Sequence, residues 1–166
     1  MQLYIVRHGI AIDPADPKCP PDPARYLTAE GMEKTRQVAK GVAEICAVPD
    51  LMMSSPYLRA LQTAEIFAQV LEYAKQKIRK SDLLLPGAEP LQLFRELAKN
   101  KDHSAVFIFG HAPHLDDVMA TALGSKHHIS SLKKAGVALV ELRRVAPPSG
   151  ELVWLVIPKL LQKDRN

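Results

Sequence analysis

Residues 3–9 read Leu-Tyr-Ile-Val-Arg-His-Gly, an apolar run that stops abruptly at an arginine, a histidine and a glycine. A short run rich in β-branched and aromatic residues is typical of a buried strand. The glycine after it allows the backbone to turn. We therefore expect a strand that delivers Arg7 and His8 to the edge of a sheet, which is where α/β folds bind their ligands.

The chemical character of these two side chains indicates phosphoryl chemistry. A guanidinium group offers a rigid set of donors whose spacing matches the oxygens of a phosphate group. A neutral imidazole offers a ring nitrogen that can attack phosphorus. Arg7 and His8 together therefore predict a phosphate-binding arginine beside a histidine nucleophile.

The composition is that of an ordinary soluble globular protein. The 166 residues suffice for one domain with a sizeable core, and 47% of them are hydrophobic and 24% charged. No stretch approaches the roughly 20 apolar residues that cross a bilayer, and the N-terminus has no signal-peptide pattern. Cys19 and Cys46 form neither a metal-binding spacing nor a disulfide framework. We expect a single domain over residues 1–166, located in the cytoplasm and without membrane contact.

The net charge of +4 either favours an anionic substrate or an acidic protein partner, or simply reflects solubility. The basic residues are scattered along the chain, with short pairs such as those at residues 133–134 and 143–144. They do not alternate with aromatic residues, which make up only 5% of the chain. A nucleic-acid partner is therefore not expected.

Apolar runs and helical spacing give the order of the expected elements. Strands are expected at residues 2–6, 51–53, 105–109, 137–142 and 152–157, with a weaker candidate at 78–85. Helices are expected at residues 29–46, 56–71, 90–99 and 113–123. Thr28 is expected to cap the first helix. Residues 13–22 are dense in proline and aspartate, and should form a loop over the surface or the mouth of the site.

The order of these elements defines the fold class. Early strands alternate with helices, an arrangement that produces a parallel sheet covered on both faces. The last two strands are joined by the turn-forming residues 147–150, which predict an antiparallel hairpin. We therefore expect a three-layer α/β/α fold with a mostly parallel central sheet and a C-terminal antiparallel hairpin.

Two further polar motifs follow predicted strands. Ser55 and Arg59 follow the strand at 51–53, and His111 follows the strand at 105–109. Because the carboxyl ends of parallel strands share one edge of the sheet, both arginines and both histidines are expected to meet there. The N-termini of the following helices would add backbone donors and partial positive charge. Together these groups form a suitable pocket for a phosphoryl group.

These motifs resemble those of the histidine phosphatase superfamily. The resemblance rests on Arg-His-Gly at residues 7–9, on Ser55 with Leu-Arg-Ala-Leu-Gln-Thr-Ala at residues 58–64, and on Gly-His at residues 110–111. Residues 27–31 also resemble the superfamily's Leu-Thr-x-x-Gly segment. The small size, with no inserted subdomain, is most similar to the SixA-type protein-histidine phosphatases.

The resemblance implies a role for each of these residues. His8 would be the nucleophile and form a covalent phosphohistidine that water then hydrolyses. Arg7, Arg59 and His111 would hold the phosphoryl oxygens and offset charge in the transition state. Ser55 has two interpretations that stay open: its hydroxyl contacts phosphate, or it caps the following helix.

No cofactor or metal is implied. His114, Asp116 and Asp117 lie close together in the sequence, but their spacing matches no strong metal-binding motif. Acidic residues are in any case expected in the first turn of a helix. We therefore expect the site to work with protein side chains alone.

A phosphomonoester substrate would also need a general acid to protonate its leaving alkoxide. In the superfamily a carboxylate supplies this proton from the segment after the third strand. Glu89 is the nearest match by position, and Glu96 lies deeper in the following helix. SixA-type enzymes lack a clear acid, because the imidazole of a phosphohistidine substrate is a better leaving group. Glu89 is therefore either a proton donor or a solvated loop charge.

The resemblance implies a phosphatase that acts on phosphohistidine in a partner protein and releases phosphate. The alternative enzyme is a small-molecule phosphomonoesterase or a phosphoglycerate mutase-like enzyme, although the short chain argues against the closing elements that a mutase needs. A third alternative is a phosphate-recognising module without turnover. The presence of both histidines and both arginines weighs against this module.

Overall fold

The computed structural model describes residues 1–99 and 102–161. Its strands are β1 (Gln2–Arg7), β2 (Leu51–Ser54), β3 (Arg79–Lys80), β4 (Ala105–Gly110), β5 (Val137–Arg144) and β6 (Ser149–Val156). Its helices are α1 (Ala29–Ala43), α2 (Leu58–Val70), α3 (Pro90–Ala98), α4 (His114–Ala122) and α5 (Pro158–Leu161). Short 3-10 helices lie at Asp22–Ala24, Lys75–Lys77 and Asp82–Leu84. Within the described ranges, no helix has both the length and the apolar character needed to span a bilayer.

Six strands form one mixed sheet in the order β3-β2-β4-β1-β5-β6. The pairs β3–β2, β2–β4 and β4–β1 are parallel, whereas β5 runs antiparallel to both β1 and β6. The mostly parallel sheet with its C-terminal hairpin is thus confirmed. In the register of the central strands, Ser54 pairs with Phe109 and Arg7 pairs with Gly110. The carboxyl ends of β2, β4 and β1 therefore lie side by side.

The sheet is covered on both faces, which is why β1 has an unbroken apolar sequence. Leu3 and Ile5 belong to a core that they share with α3 and α4. Tyr4 and Val6 belong to the opposite core, which they share with α1 and α2. All four side chains are at most 1% exposed. This arrangement confirms the three-layer α/β/α architecture.

The first helix begins where the sequence predicts. Thr28 is its N-cap, and the Thr28 hydroxyl accepts a hydrogen bond from the Gly31 amide at 3.0 Å. Gly31 also lets α1 approach the turn after β1, because a Cβ there would lie 2.0 Å from the Ile10 carbonyl oxygen. A Cβ on Gly9 would lie 2.3 Å from Thr35 Oγ1. Both glycines are therefore needed to pack α1 against the end of β1.

The start of α2 differs from the prediction. The sequence predicts a cap at Ser54 or Ser55 with Pro56 in the first turn, whereas the helix starts two residues later, with Tyr57 at its N-cap and no side-chain cap. Ser54 is the last residue of β2. The hydroxyl of Ser55 is hydrogen-bonded to a histidine that lies far away in the sequence. The predicted cap is wrong because a tertiary contact uses the side chain that would have formed it.

Two other boundaries also differ. The strand candidate at residues 78–85 forms only the two-residue β3, because the Ser81 hydroxyl accepts a hydrogen bond from the Leu83 amide at 3.3 Å and starts a 3-10 helix. The hairpin strands are longer than predicted, since Arg144 still pairs with Ser149. Part of the predicted turn is therefore strand.

Candidate active site

His8 directly follows β1 and lies at the shared edge of the sheet. Its backbone amide donates to the Gly110 carbonyl at the end of β4, and the residue is only 7% exposed. Its Nδ1 lies 2.7 Å from the Gly9 carbonyl oxygen. Because a carbonyl oxygen only accepts, Nδ1 carries the proton and Nε2 carries a lone pair. This tautomer makes Nε2 the atom that can attack.

Burial lowers the pKa of His8 to about 4. The hydrogen bond with Gly9 opposes this shift, and the positive charges of Arg59 and Arg7 reinforce it. The imidazole is therefore neutral at pH 7, and its Nε2 lone pair is available without prior deprotonation.

Arg59 lies in the first turn of α2 and is 5% exposed. Its Nε donates to His8 Nε2 across 3.3 Å. One turn later, the Thr63 hydroxyl donates to the Arg59 carbonyl at 2.7 Å and accepts from the Gly9 amide at 3.1 Å. These bonds fasten α2 to the turn after β1 and set the guanidinium group against the imidazole of His8. Thr63 belongs to the motif at residues 58–64, but the sequence did not predict these two hydrogen bonds.

The other side of the Arg59 guanidinium contacts Asp22, which the sequence did not single out. Nη1 donates to the Asp22 carbonyl at 2.7 Å, and Nη2 donates to Asp22 Oδ2 at 3.3 Å. Arg25 Nη1 lies 3.1 Å from Asp22 Oδ1. Burial acts to raise the pKa of Asp22, but hydrogen bonds and charge from Arg25 and Arg59 hold it below its ordinary value. The loop predicted to lie over the surface or the mouth of the site thus places the carboxylate of Asp22 against an arginine predicted to bind phosphate.

His111 follows β4 and is 2% exposed. Its ring centroid lies 5.2 Å from that of His8. Burial lowers the pKa of His111 to about 3, and the charges of Arg59 and His8 add to the shift. Its Nε2 lies 2.8 Å from Ser55 Oγ. In the described part of the chain, its Nδ1 is buried and has no hydrogen-bond partner, so the ring keeps one polar atom unpaired beside His8.

Ser55 orients His111. Its Oγ accepts from the Tyr57 amide at 3.3 Å, and its hydroxyl hydrogen is available to His111 Nε2, which lies 2.8 Å from Oγ. A hydroxyl that donates to Nε2 keeps the proton of the neutral ring on Nδ1, where it can be donated to an anion. Direct contact between Ser55 and phosphate stays a prediction.

Arg7 is the last residue of β1 and is only partly buried. Its Nη1 donates to the Leu132 carbonyl at 2.6 Å. Its Nε is buried and finds no partner among the described residues. Burial lowers the pKa of Arg7, and the charge of Asp116 opposes that shift. An unpaired buried donor is costly unless a ligand satisfies it, which fits an anion-binding arginine.

Glu89, the predicted candidate for a proton donor, lies at the start of α3. It is exposed, it is the N-cap of α3, and its Oε1 accepts from the Leu91 amide at 3.4 Å. Over the described ranges, no hydrogen bond or ion pair joins it to His8, Arg59 or His111. The carboxylate therefore has a structural task as a helix cap.

The acidic residues near His114 form hydrogen bonds with the segment that follows α4. Asp116 Oδ1 accepts from the Leu132 amide at 2.9 Å, and Asp117 Oδ1 lies 2.5 Å from His128 Nε2. Within residues 1–99 and 102–161, no group of three or more histidine, cysteine or acidic side chains is placed to hold a metal ion. These carboxylates instead tie the segment after α4 back onto that helix.

Two guanidinium groups and two neutral imidazoles thus lie at the carboxyl edge of the sheet. His8 contacts Arg59 directly and has the ring of His111 as a neighbour, while Arg7 is the residue before it. Hydrogen-bond donors in a buried site stabilise an anion more strongly than the same donors do in water. The arrangement can bind a tetrahedral anion and present a nucleophilic nitrogen to it.

Sequence comparisons agree with this geometry. The pattern of the histidine phosphatase superfamily (branch 1) matches residues 3–84, which include Arg7, His8 and Arg59. An uncharacterized protein of Picosynechococcus sp. is 32% identical over 165 residues, which cover 97% of this chain and 99% of that protein. The mitochondrial serine/threonine-protein phosphatase Pgam5 of Drosophila persimilis is 29% identical over 86 residues, which cover 52% of this chain and 28% of that protein.

Solved structures share the fold over nearly the whole chain. The protein histidine phosphatase SixA, complexed with tungstate, has a TM-score of 0.84 at 24% identity, covering 97% of this chain and 99% of that one. A putative phosphohistidine phosphatase SixA from Agrobacterium tumefaciens has a TM-score of 0.78 at 21% identity, covering 95% and 97%. These structures show that the fold is shared. The match of residues 3–84 to the family pattern, with the full-length relative at 32% identity, shows that the chain belongs to the histidine phosphatase superfamily and is a phosphatase.

Proposed function

We propose that this protein is a protein-phosphohistidine phosphatase, which transfers the phosphoryl group of a partner's histidine to His8 and then to water. The state of His8 supports the proposed nucleophile: Nδ1 donates to the Gly9 carbonyl, so the lone pair of the neutral ring lies on Nε2, next to Arg59. The names of the two SixA structures, a protein histidine phosphatase and a putative phosphohistidine phosphatase, support this substrate class.

In the first step, His8 Nε2 attacks phosphorus in line with the leaving imidazole. A bond forms between Nε2 and phosphorus, and the bond between phosphorus and the substrate nitrogen breaks. Its electron pair stays on the leaving ring, which departs as neutral imidazole because its other nitrogen carries a proton. Arg7 and Arg59 hold the phosphoryl oxygens, and the Nδ1 proton of His111 is donated to one of them. The Gly9 carbonyl, 2.7 Å from Nδ1, offsets the positive charge that the phosphorylated ring acquires.

In the second step, water attacks the phosphorus bound to His8. A bond forms between the water oxygen and phosphorus, the bond between Nε2 and phosphorus breaks, and its electron pair returns to Nε2. Both protons of the water leave on the product, dihydrogen phosphate. Asp22 has to release Arg59 before each turnover, because its carboxylate and the phosphoryl group use the same Nη atoms. The exposed position of Asp22 makes that release inexpensive.

The position of Glu89 fits an imidazole leaving group. Imidazole needs less protonation than an alkoxide, so the step places less demand on a general acid. Glu89 as proton donor is the secondary proposal, since its carboxylate caps α3. Glu89→Gln should keep full activity on phosphohistidine if the cap is its only task, and should lose activity on phosphoesters if it is the acid.

A phosphoester phosphatase is the second candidate. It is supported by a phosphoserine phosphatase from Entamoeba histolytica, a mutant of which, in complex with phosphoserine, has a TM-score of 0.71 at 16% identity and covers 95% of this chain and 98% of that one. The sequence relative Pgam5 is likewise named a serine/threonine-protein phosphatase. The same nucleophile would serve both reactions, so the leaving group distinguishes them.

Parallel assays separate these candidates. The purified chain is given a phosphohistidine protein, a phosphoserine peptide and p-nitrophenyl phosphate at neutral pH, and kcat/KM is measured for each. We expect kcat/KM for phosphohistidine to exceed the others by about a hundredfold, and His8→Asn to abolish all turnover. Comparable efficiency on phosphoesters would favour the second candidate. Binding without turnover would indicate a recognition module.

We also propose the cytoplasm as the location of this protein. Cys19 and Cys46 are both free thiols, and reduced cysteines are the rule in cytosolic proteins. Fractionation of cells that express the chain would test this assignment.

A further inference from the structure

A cavity of about 830 Å³ lies beside Arg7. Five of the residues that line it are cationic, namely Arg7, Lys34, Lys133, Lys134 and Lys159. We refer to these five residues as the lysine groove. No acidic residue is among its described lining residues. Arg7 belongs both to the lysine groove and to the predicted phosphate site, so the two are adjacent.

The turn that carries two of these lysines is clamped onto the end of β1. The Ala135 amide donates to the Arg7 and His8 carbonyls at 3.1 and 3.0 Å, and Arg7 Nη1 donates to the Leu132 carbonyl. Ala135 has a φ of 59°, a left-handed conformation that is costly for a residue with a Cβ. Such strain persists where surrounding contacts impose it, so residues 133–134 are held in place beside the site.

Most of this positive charge is not neutralised within the protein. Lys133, Lys134 and Lys159 are exposed, and none of them forms an ion pair with another described residue. Among the described residues, Lys34 is the one lysine of the groove that forms an ion pair, in which its Nζ lies 2.5 Å from Glu30 Oε1. Cations placed side by side repel one another, so an anionic ligand would stabilise the groove.

We propose that the lysine groove binds an acidic segment of the protein whose phosphohistidine enters the active site. This inference rests on the proposed function, because it assigns the partner's acidic residues a place next to the reacting group. The described lining residues include no aromatic side chain on which a base could stack, which disfavours a nucleic acid. Ile10 and Pro158 instead offer apolar contacts to a peptide chain.

The test uses two synthetic peptides of equal length, with the phosphohistidine flanked by glutamates in one and by glutamines in the other. For the wild-type chain, we expect kcat/KM for the glutamate peptide to exceed that for the glutamine peptide by about tenfold at low salt, mainly through KM. High salt should remove this preference. The double variant Lys133→Gln/Lys159→Gln should lose most of it.

A matched control removes the same charge elsewhere. Lys40 and Lys77 are exposed and lie outside the lysine groove, so Lys40→Gln/Lys77→Gln should keep the preference. An unchanged preference in the groove variant would overturn the proposal. An equal loss in the control would overturn it too, because net charge alone would then explain the effect.

A binding measurement separates the groove from the proposed function. If the wild-type chain hydrolyses neither peptide, the proposed function fails. Fluorescence anisotropy with the unphosphorylated glutamate peptide still tests the groove, and wild type should then bind more tightly than the groove variant. Equal affinities would reject the groove, and stronger binding of a single-stranded oligonucleotide than of this peptide would assign it to nucleic acid instead.

Discussion

Arg59 has contacts on two sides, one with the buried edge of the sheet and the other with an exposed loop. On one side its Nε contacts His8, at a sheet edge fixed by buried strands and tightly packed glycines. On the other side its Nη atoms contact Asp22, whose side chain is 53% exposed at the end of a proline-rich loop. In the mechanism that we propose, the sheet edge supplies the reacting groups and the loop modulates access to Arg59. Changes at the sheet edge should therefore destroy activity, and changes in the loop should only modulate it.

The largest effect is expected for Arg59→Ala. We propose that the guanidinium group of Arg59 holds the transferring phosphoryl group, so its loss should lower kcat about a thousandfold, by analogy with arginine fingers. Steady-state rates measure this, and thermal unfolding verifies the fold. Arg36→Ala removes a half-buried arginine that pairs with Glu33 on α1, and should keep full activity. A loss of less than about tenfold would show that Arg59 does not hold the phosphoryl group.

The pH dependence of stability probes the same edge. Burial lowers the pKa of His8 to about 4, whereas an unfolded histidine titrates near 6.5. Below pH 6.5 the unfolded chain therefore binds more protons than the folded one. The free energy of unfolding should fall as the pH drops from 6.5 towards 4, by up to about 3 kcal/mol for His8.

Urea unfolding at a series of pH values measures this effect. His8→Asn removes the titrating group, so its free energy of unfolding should fall less steeply over the same window. His111, whose pKa is lowered to about 3, contributes in the same direction and remains in the variant. Parallel curves for wild type and His8→Asn would show that His8 is not buried in its neutral form.

A smaller loss is expected for Ser55→Ala. Without the hydroxyl, His111 Nε2 loses its 2.8 Å partner and the proton is no longer fixed on Nδ1. We expect kcat to fall about tenfold, because the loss corresponds roughly to the free-energy contribution of one hydrogen bond. KM should change little. Ser55→Thr should recover part of the rate, and Ser54→Ala, which removes a hydroxyl bonded to the Ser55 carbonyl, is the control. A loss as large as that of Arg59→Ala would favour direct phosphate contact by Ser55.

The smallest effect belongs to the loop. Asp22→Asn keeps the side-chain shape but removes the negative charge that competes for Arg59, so KM should fall about threefold with kcat unchanged. Asp16→Asn alters another exposed loop carboxylate, which accepts from the Lys18 amide, and should leave KM unchanged. A tenfold or greater drop in kcat for Asp22→Asn, roughly 1.4 kcal/mol, would mean that Asp22 takes part in the chemistry.

The contrast between edge and loop also explains what could be predicted from the sequence. Arg7, His8 and His111 were predictable because each ends an apolar run, and the ends of parallel strands meet at one edge of the sheet. Asp22 was not, since the composition of its loop predicts a cover without indicating which carboxylate reaches a side chain 37 residues away.

Ser55 and Ala135 show a second limit. A serine before a helix is normally a cap, but the hydroxyl of Ser55 bonds to a ring 56 residues away in the chain. Alanine has no preference for a left-handed turn, and Ala135 adopts one because its amide bonds to the carbonyls of residues 7–8. Long-range hydrogen bonds decide both positions, and local patterns do not contain them.

The proposed mechanism depends on a covalent phosphohistidine that forms on His8. Wild-type protein is mixed with a radiolabelled phosphohistidine protein, stopped with base within a single turnover, digested, and searched for labelled peptides. We predict that the label lies on the peptide that contains His8, disappears as free phosphate accumulates, and is missing in His8→Asn. Turnover without any labelled enzyme, or a label on His111 in place of His8, would contradict the mechanism.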